Sequence, residues 1–134
     1  QAKEAAKSEE YNNTYHIFCS DIDNKCIEIA RNNAKLAGVE KHISFKCSDA
    51  RQFKSQNSSG LIVTNPPYGE RLMEQQDAEA LYHDFGRAFR SLGNSWKLYL
   101  LSPHSEFEQI FGLTATKKRK LYNGMIKCNL FMYF

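Results

Sequence analysis

The chain has 134 residues, 42% of them hydrophobic and 25% charged, which are ordinary proportions for a soluble globular protein. Its formal net charge of +3 is too small to indicate a nucleic-acid-binding protein by itself. No apolar run approaches the roughly 20 residues of a membrane helix, and nothing resembles a signal peptide. The four cysteines, Cys19, Cys26, Cys47 and Cys128, form no CxxC pair, which favours buried thiols in a reducing cytosol over a metal site. We therefore expect a cytoplasmic protein with one core, no membrane partner and no bound metal.

The first half of the sequence predicts two strands around one complete helix. Residues 1–10 are strong helix formers, and residues 15–20 are a short aromatic and β-branched run that is typical of a strand. Asp23 is placed to cap a helix that Gly38 would end. Residues 43–47 predict the second strand.

The middle of the sequence predicts a strand, a helix and another strand. Residues 61–64 form a buried strand, and the two prolines that follow stop it at once. Asp77 can cap the next helix and Gly93 can end it. Residues 96–101 form the following strand.

The C-terminal segment predicts a short helix and a hairpin. Ser105 and Glu108 have the spacing of a capping box. Asn123-Gly124, between two β-prone runs, predicts a hairpin with strands at about residues 117–122 and 125–134. Strands that alternate with helices predict an α/β fold with a doubly wound, mostly parallel sheet, which the hairpin makes mixed. Ligands of such sheets bind beyond the carboxyl ends of the strands.

Acidic residues follow the first two predicted strands. Asp21 comes just after the first, where a carboxylate can accept hydrogen bonds from both hydroxyls of a ribose, whereas helix capping explains Asp23. Asp49 follows the second, where it can accept from the amine of an adenine while the backbone N–H of Ala50 donates to a ring nitrogen. Turn formation is the structural alternative for Asp49. Two such sites at consecutive strand ends favour an adenosine-type ligand.

The loop after the third strand, Asn65-Pro66-Pro67-Tyr68, is poorly explained as a simple turn. Two prolines make it rigid, and the Asn65 amide and the Pro66 carbonyl offer two fixed acceptors for an NH2 group. Tyr68 offers a flat face on which a base can stack. The loop therefore predicts a site for a planar aromatic amine.

These residues resemble a known family. Asn65-Pro66-Pro67-Tyr68 resembles the fourth motif of S-adenosylmethionine-dependent amino-methyltransferases, which act on adenine, cytosine or glutamine amines. The longer string "NPPYGERL", with "SDID" upstream and "ATKKRKLYNG" downstream, resembles the bacterial THUMP-domain 23S rRNA guanine-N2 methyltransferases, often labelled predicted N6-adenine DNA methylases. The resemblance covers essentially the whole chain.

The resemblance implies a Rossmann-like methyltransferase sheet with strand order 3-2-1-4-5-7-6, in which the strands above are numbers 2 to 7. It implies S-adenosylmethionine as cofactor, bound by Asp21, Ile22, Asp49, Ala50 and Asn65, and it makes Asn65, Pro66, Pro67 and Tyr68 the catalytic loop. The family's first strand and glycine-rich loop have no counterpart here, and the resemblance implies a THUMP RNA-binding domain upstream in the full-length protein. We therefore expect residues 1–134 to be a partial methyltransferase domain that alone binds cofactor weakly and transfers no methyl group.

The implied reaction is methylation of an exocyclic nucleobase amine, with N2 of guanine in 23S ribosomal RNA as the favoured target. The basic cluster Lys117-Lys118-Arg119-Lys120 is either a solvated face or a phosphate contact for that RNA. Glu70 and Arg71 follow the loop and can shape it. Two alternatives stay open: a DNA or protein amine methyltransferase, and a non-catalytic fragment that binds nucleic acid.

Overall fold

The computed structural model describes residues 16–69 and 72–134, and the helix predicted at residues 1–10 lies outside them, as do Glu70 and Arg71. By its contacts the chain divides into two compact units, Gln1–Asp49 and Ala50–Phe134, each with its own sheet. Among the described helices, none has the length and apolarity to cross a membrane.

The first unit contains two parallel strands and a helix. Strand β1 (Ile17–Asp21) pairs with β2 (Ile43–Cys47), and helix α1 (Asn24–Ala37) connects them through a 3-10 turn at Glu40–His42. Asp23 caps α1 by accepting a hydrogen bond from the backbone N–H of Lys25 at 2.9 Å. Gly38 ends the helix with a φ of 77°. Both predicted helix boundaries are confirmed.

The second unit contains a four-stranded mixed sheet. Its strands are β3 (Gly60–Thr64), β4 (Trp96–Ser102), β5 (Lys117–Asn123) and β6 (Ile126–Tyr133), in the spatial order β3-β4-β6-β5. β3 and β4 are parallel, while β6 is antiparallel to both β4 and β5. Helix α2 (Leu72–Arg90) connects β3 to β4, and helix α3 (Phe107–Phe111) precedes the hairpin.

Each sheet reproduces its part of the expected strand order. With the strands numbered 2 to 7, β1-β2 corresponds to 2-3, and β3-β4-β6-β5 corresponds to 4-5-7-6. The predicted α/β class, with parallel strands and a C-terminal antiparallel hairpin, is confirmed.

An aromatic core holds α2 and α3 on the sheet of the second unit. Phe107 stacks on Phe111 with ring centroids 5.0 Å apart and lies 4.5 Å from the ring of Phe131. α2 and α3 approach closely at Gly86, where a Cβ atom would clash with the carbonyl oxygen of Phe111. The buried core residues are Ala78, Tyr82, Phe85, Phe89, Trp96, Leu98, Leu100, Phe107, Phe111, Phe131 and Tyr133.

Two predicted helix caps are wrong. Helix α2 begins at Leu72, so Asp77 lies within the helix, because the good helix formers before it continue the helix towards the loop. Helix α3 has Glu106 at its N-cap with no side-chain hydrogen bond. Glu108 accepts instead from the backbone N–H of Ala115 at 2.7 Å and from Lys118 at 2.8 Å, since a cation and an amide stabilise its carboxylate better than a reciprocal cap.

The hairpin is confirmed, but its turn lies one residue later than predicted. Asn123 is the last residue of β5 and pairs with Ile126, so the two-residue loop is Gly124-Met125. Gly124 has a φ of 62°, and Met125 has no positive φ. Glycine at the first loop position is the pattern of a type II′ turn, which fits the twist of the hairpin. The Asn123 amide is therefore not used by the turn.

Candidate active site

The carboxyl ends of β1 and β2 bring two predicted ligand residues to one edge of the first sheet. Asp21 is the last residue of β1, and its backbone carbonyl accepts a hydrogen bond from Ser48 N–H at 2.9 Å. Its Oδ1 accepts from Asp23 N–H at 2.8 Å, which fixes the carboxylate while leaving the side chain exposed. Asp49 follows Ser48 on the neighbouring strand and is half-buried. The two carboxylates thus come from adjacent strand ends.

Ile22 and Ala50 complete the predicted nucleoside-binding set. Ile22 is exposed, and its carbonyl accepts from the Cys47 thiol at 3.3 Å. Ala50 begins a 3-10 turn at Ala50–Gln52 and is exposed. An exposed apolar side chain beside a fixed carboxylate suits one face of a nucleoside.

The predicted catalytic loop directly follows β3. Asn65 and Pro67 are exposed, whereas Pro66 and Tyr68 are half-buried. The Asn65 amide can therefore meet a ligand from solvent while the chain behind it is packed.

The Tyr68 phenol is held by the hairpin. Asn123 Nδ2 donates a hydrogen bond to Tyr68 Oη at 2.8 Å. Partial burial has the largest effect on the pKa of Tyr68 and raises it. The hydrogen bond from Asn123 lowers this pKa, Cys128 raises it, and the interaction with Asn65 lowers it. The phenol therefore interacts with the amide of the same motif and stays protonated at neutral pH. Asn65 and Tyr68 therefore lie close together in the loop.

Three residues of this site were missed from the sequence. Tyr82 Oη donates to the carbonyl of Pro67 at 2.9 Å and lies 3.0 Å from Ser102 Oγ. Ser102 is the last residue of β4, so a search for polar residues at strand ends, which identified Asp21, would also have identified Ser102. Tyr82 shows only as one apolar position of a helix face, and Asn123 was assigned to the turn.

The basic cluster lies on β5, and all four of its residues are exposed. Lys118 forms an ion pair with Glu108 at 2.8 Å. Since side chains alternate along a strand, Lys117 and Arg119 share a face with Asn123, whose side chain reaches Tyr68. At about 3.3 Å per residue, Lys120 lies about 10 Å and Lys117 about 20 Å along the strand from Asn123.

The fold is that of methyltransferase domains. The chain is similar to a possible methylase from Clostridium difficile 630, with a TM-score of 0.91 and 48% identity over 98% of this chain and 34% of that one. It is also similar to SMU.472, described as a candidate methyltransferase in complex with SAH, with a TM-score of 0.90 and 37% identity over 98% of this chain and 35% of that one.

The chain belongs to the RMKL-like methyltransferase domain family, whose profile matches residues 1–131. It is 41% identical over 131 residues to YpsC of Bacillus subtilis (strain 168), named as a candidate RNA methyltransferase, covering 98% of this chain and 34% of that protein. It is 37% identical over 117 residues to ribosomal RNA large subunit methyltransferase K/L of Shewanella amazonensis (strain ATCC BAA-1098 / SB2B), covering 87% of this chain and 16% of that protein. The chain thus spans about a third or less of the length of these relatives.

Proposed function

We propose that residues 1–134 are part of a single methyltransferase domain that methylates an exocyclic nucleobase amine in RNA, with N2 of guanine in 23S ribosomal RNA as the favoured target. The observation that carries this proposal is the loop Asn65–Tyr68, in which an exposed amide lies beside a half-buried, hydrogen-bonded phenol at the end of β3. The relative named as a ribosomal RNA large subunit methyltransferase supports RNA as the substrate.

The residues at the ends of β1 and β2 fit the nucleoside half of S-adenosylmethionine. Asp21 is exposed, and its orientation is fixed by Asp23 N–H, so its carboxylate is preorganised to accept from ribose hydroxyls. Asp49 and the N–H of Ala50 are assigned to the adenine. The bound cofactor supplies an electrophilic methyl group on a sulfonium.

The catalytic loop makes the amine a better nucleophile by fixing its hydrogens. The lone pair of an exocyclic guanine amine delocalises into the ring. When the Asn65 side-chain oxygen and the Pro66 carbonyl accept the two amine hydrogens, the nitrogen becomes more pyramidal and its lone pair is directed. Positioning and fixed dipoles then supply most of the catalysis.

The loop needs no strong base. The methylated amine is acidic while it carries the extra proton and releases it readily to water. The raised pKa of Tyr68 keeps its phenol neutral, so this side chain acts as a stacking surface for the unstacked base.

The exposed cations of β5 are assigned to RNA phosphates. Lys118 is already neutralised by Glu108, so Lys117, Arg119 and Lys120 carry most of the available charge. Replacing Lys120 by Gln is expected to reduce the salt dependence of RNA binding by about one unit of slope, and Lys118→Gln by less. The slopes of binding constant against salt concentration come from titrations at several salt concentrations. Equal slopes for the wild type and both variants would show that the cluster is a solvated surface that does not contact phosphates.

The test of the proposed function uses the complete protein that carries this chain. Asn65→Ala is expected to leave cofactor affinity intact and to reduce turnover on ribosomal RNA by about a hundredfold or more. Asn94→Ala, in an exposed turn, is the matched control and should leave turnover unchanged. Near-normal turnover of the Asn65 variant would contradict the role of the loop.

The cofactor site is tested separately by calorimetry. Asp21→Ala is expected to weaken S-adenosylmethionine binding by about 1–3 kcal/mol, the cost of unpaired polar groups. Unchanged affinity would make Asp21 a purely structural residue. Assays with ribosomal RNA, DNA and peptide as acceptors then separate the proposed substrate from the DNA or protein alternatives, and transfer to none of them supports the non-catalytic alternative.

A further inference from the structure

A buried chain of hydrogen bonds ends on the catalytic loop. Tyr82, on α2, is 1% exposed, and Ser102, at the end of β4, is 0% exposed. Tyr82 Oη contacts both Ser102 Oγ and the Pro67 carbonyl, and Ser102 Oγ accepts from the backbone N–H of His104 at 3.1 Å. The buried hydroxyls of Tyr82 and Ser102 therefore both have hydrogen-bond partners.

The direction of each bond in the chain is determined. The Pro67 carbonyl can only accept, so the single hydroxyl hydrogen of Tyr82 is donated to it. The Tyr82 oxygen must then accept from the Ser102 hydroxyl, which in turn accepts from His104 N–H. Bonds aligned in this way polarise one another, which strengthens the last one. Burial raises the pKa of Tyr82, so the phenol remains a donor at neutral pH.

The bond to Pro67 restrains ψ of Pro67, a backbone torsion that the proline rings do not fix. The proline rings fix φ of Pro66 and Pro67. Asn65 and Pro66 each precede a proline, which restricts their ψ to extended values. Of the torsions of the two prolines, ψ of Pro67 is therefore the one left free, and it sets the direction in which the chain continues to Tyr68. The Pro67 carbonyl rotates with that torsion, so a donor fixed to it fixes the torsion.

We propose that Tyr82, supported by Ser102, is a positioning residue that sets the orientation of Tyr68 relative to the Asn65 and Pro66 acceptors. Tyr82 is buried and acts on the loop through the Pro67 carbonyl. This inference rests on the proposed function of the loop in amine methylation.

The protein offers a matched control for the loss of a buried phenol. Tyr133 is 5% exposed and donates to the carbonyl of Leu113 at 2.8 Å, far along the chain from the loop. Tyr82→Phe and Tyr133→Phe each remove one hydroxyl from one buried carbonyl. Both variants lose a similar bond, and only the first loses it at the catalytic loop.

In the complete protein, Tyr82→Phe is expected to lower kcat by about tenfold to a hundredfold, while cofactor affinity and KM for RNA stay near wild type. Tyr133→Phe is expected to keep its kcat. The double variant Tyr82→Phe/Ser102→Ala should be no slower than Tyr82→Phe, because both changes remove the same chain of bonds. Equal kcat values for Tyr82→Phe and Tyr133→Phe, or fully additive losses in the double variant, would overturn the proposal.

A second measurement does not depend on activity. Hydrogen exchange of the Asn65, Tyr68 and Gly69 amides should be faster in Tyr82→Phe than in Tyr133→Phe. If the wild type methylates no RNA but this difference is found, the proposed function fails and the positioning role stands. If exchange at the loop is the same in both variants, the positioning role fails, whatever the substrate.

Discussion

Replacing Asn123 by Ala tests whether the hairpin tip controls the catalytic loop. The variant removes one hydrogen bond, from Asn123 Nδ2 to Tyr68 Oη at 2.8 Å. A hydrogen bond nets about 0.5–1.5 kcal/mol, and the exposure of Asn123 places this one at the low end. A loss of about 0.5–1 kcal/mol corresponds to about a twofold to fivefold fall in kcat/KM for RNA. Cofactor affinity should not change.

The pKa of Tyr68 gives a direct measurement of the same bond. The Asn123 amide donates to the phenol oxygen and so stabilises the phenolate more than the phenol. Removing the amide should therefore raise the pKa of Tyr68 above its already raised value. NMR titration of carbon-labelled tyrosine follows this residue once Tyr68→Phe has assigned its signal.

Met125→Ala is the control for the hairpin, because Met125 is 98% exposed in the same turn. It should change neither the Tyr68 titration nor the rate. An Asn123→Ala variant whose Tyr68 pKa is unchanged or lower would refute the reasoning, since the bond could not then be present in solution. A fall in rate with an unchanged pKa would refute it equally, because the rate would depend on something other than the phenol.

Three further outcomes are expected. Gly86→Ala should destabilise the second unit by about 1–3 kcal/mol in urea unfolding, because its Cβ meets the Phe111 carbonyl oxygen. Asp84→Ala, at a side chain of α2 that is 45% exposed, should have little effect, and equal unfolding midpoints for the two variants would contradict this. Lys118 lowers the pKa of Glu108, while burial opposes the shift. The ionised Glu108 carboxylate therefore stabilises the fold fully above the ordinary pKa of 4.5, and this stabilisation is lost as pH falls through the lowered pKa. Glu108→Gln should therefore make the unfolding free energy depend less on pH on the acid side. A pH dependence identical to that of the wild type would contradict this role of Glu108. In hydrogen exchange on the 134-residue chain, β3 amides that point away from β4 should exchange faster than those that point towards it; uniform protection would show that another strand pairs with this edge.

The sequence predicted the elements well where a local signal agreed with the packing. Asp23 and Gly38 cap the two ends of α1 as predicted, because capping is decided within one turn of the helix. The strand order followed from the resemblance, and the observed pairings agree with it. The loop Asn65–Tyr68 was identified because prolines after a buried strand have few structural explanations.

The failures at Glu108 and Asn123 share a cause, which is that a side chain with a local use interacts with a distant partner instead. Glu108 has the spacing of a capping box, yet it binds Lys118 across ten positions of sequence. Asn123 precedes a glycine and has a strong turn propensity, yet the turn needs only Gly124 in the left-handed region. Its amide is left to bind Tyr68, 55 positions away. Local propensities contain no information about such pairs.

The two bonds on the loop come from elements that the sheet brings to one edge. β3, β4 and β5 all point the same way, since β6 is antiparallel to both β4 and β5. Their carboxyl ends therefore lie at the same edge of the sheet, where Ser102 ends β4 and Asn123 ends β5. The buried Tyr82–Ser102 pair holds the loop backbone from the core, and Asn123 holds the Tyr68 ring from the surface. A substitution that shifts β5 along β6 by one residue would turn Asn123 to the other face and lose the second bond, while leaving the first intact. The orientation of the Tyr68 ring thus depends on the register of the hairpin.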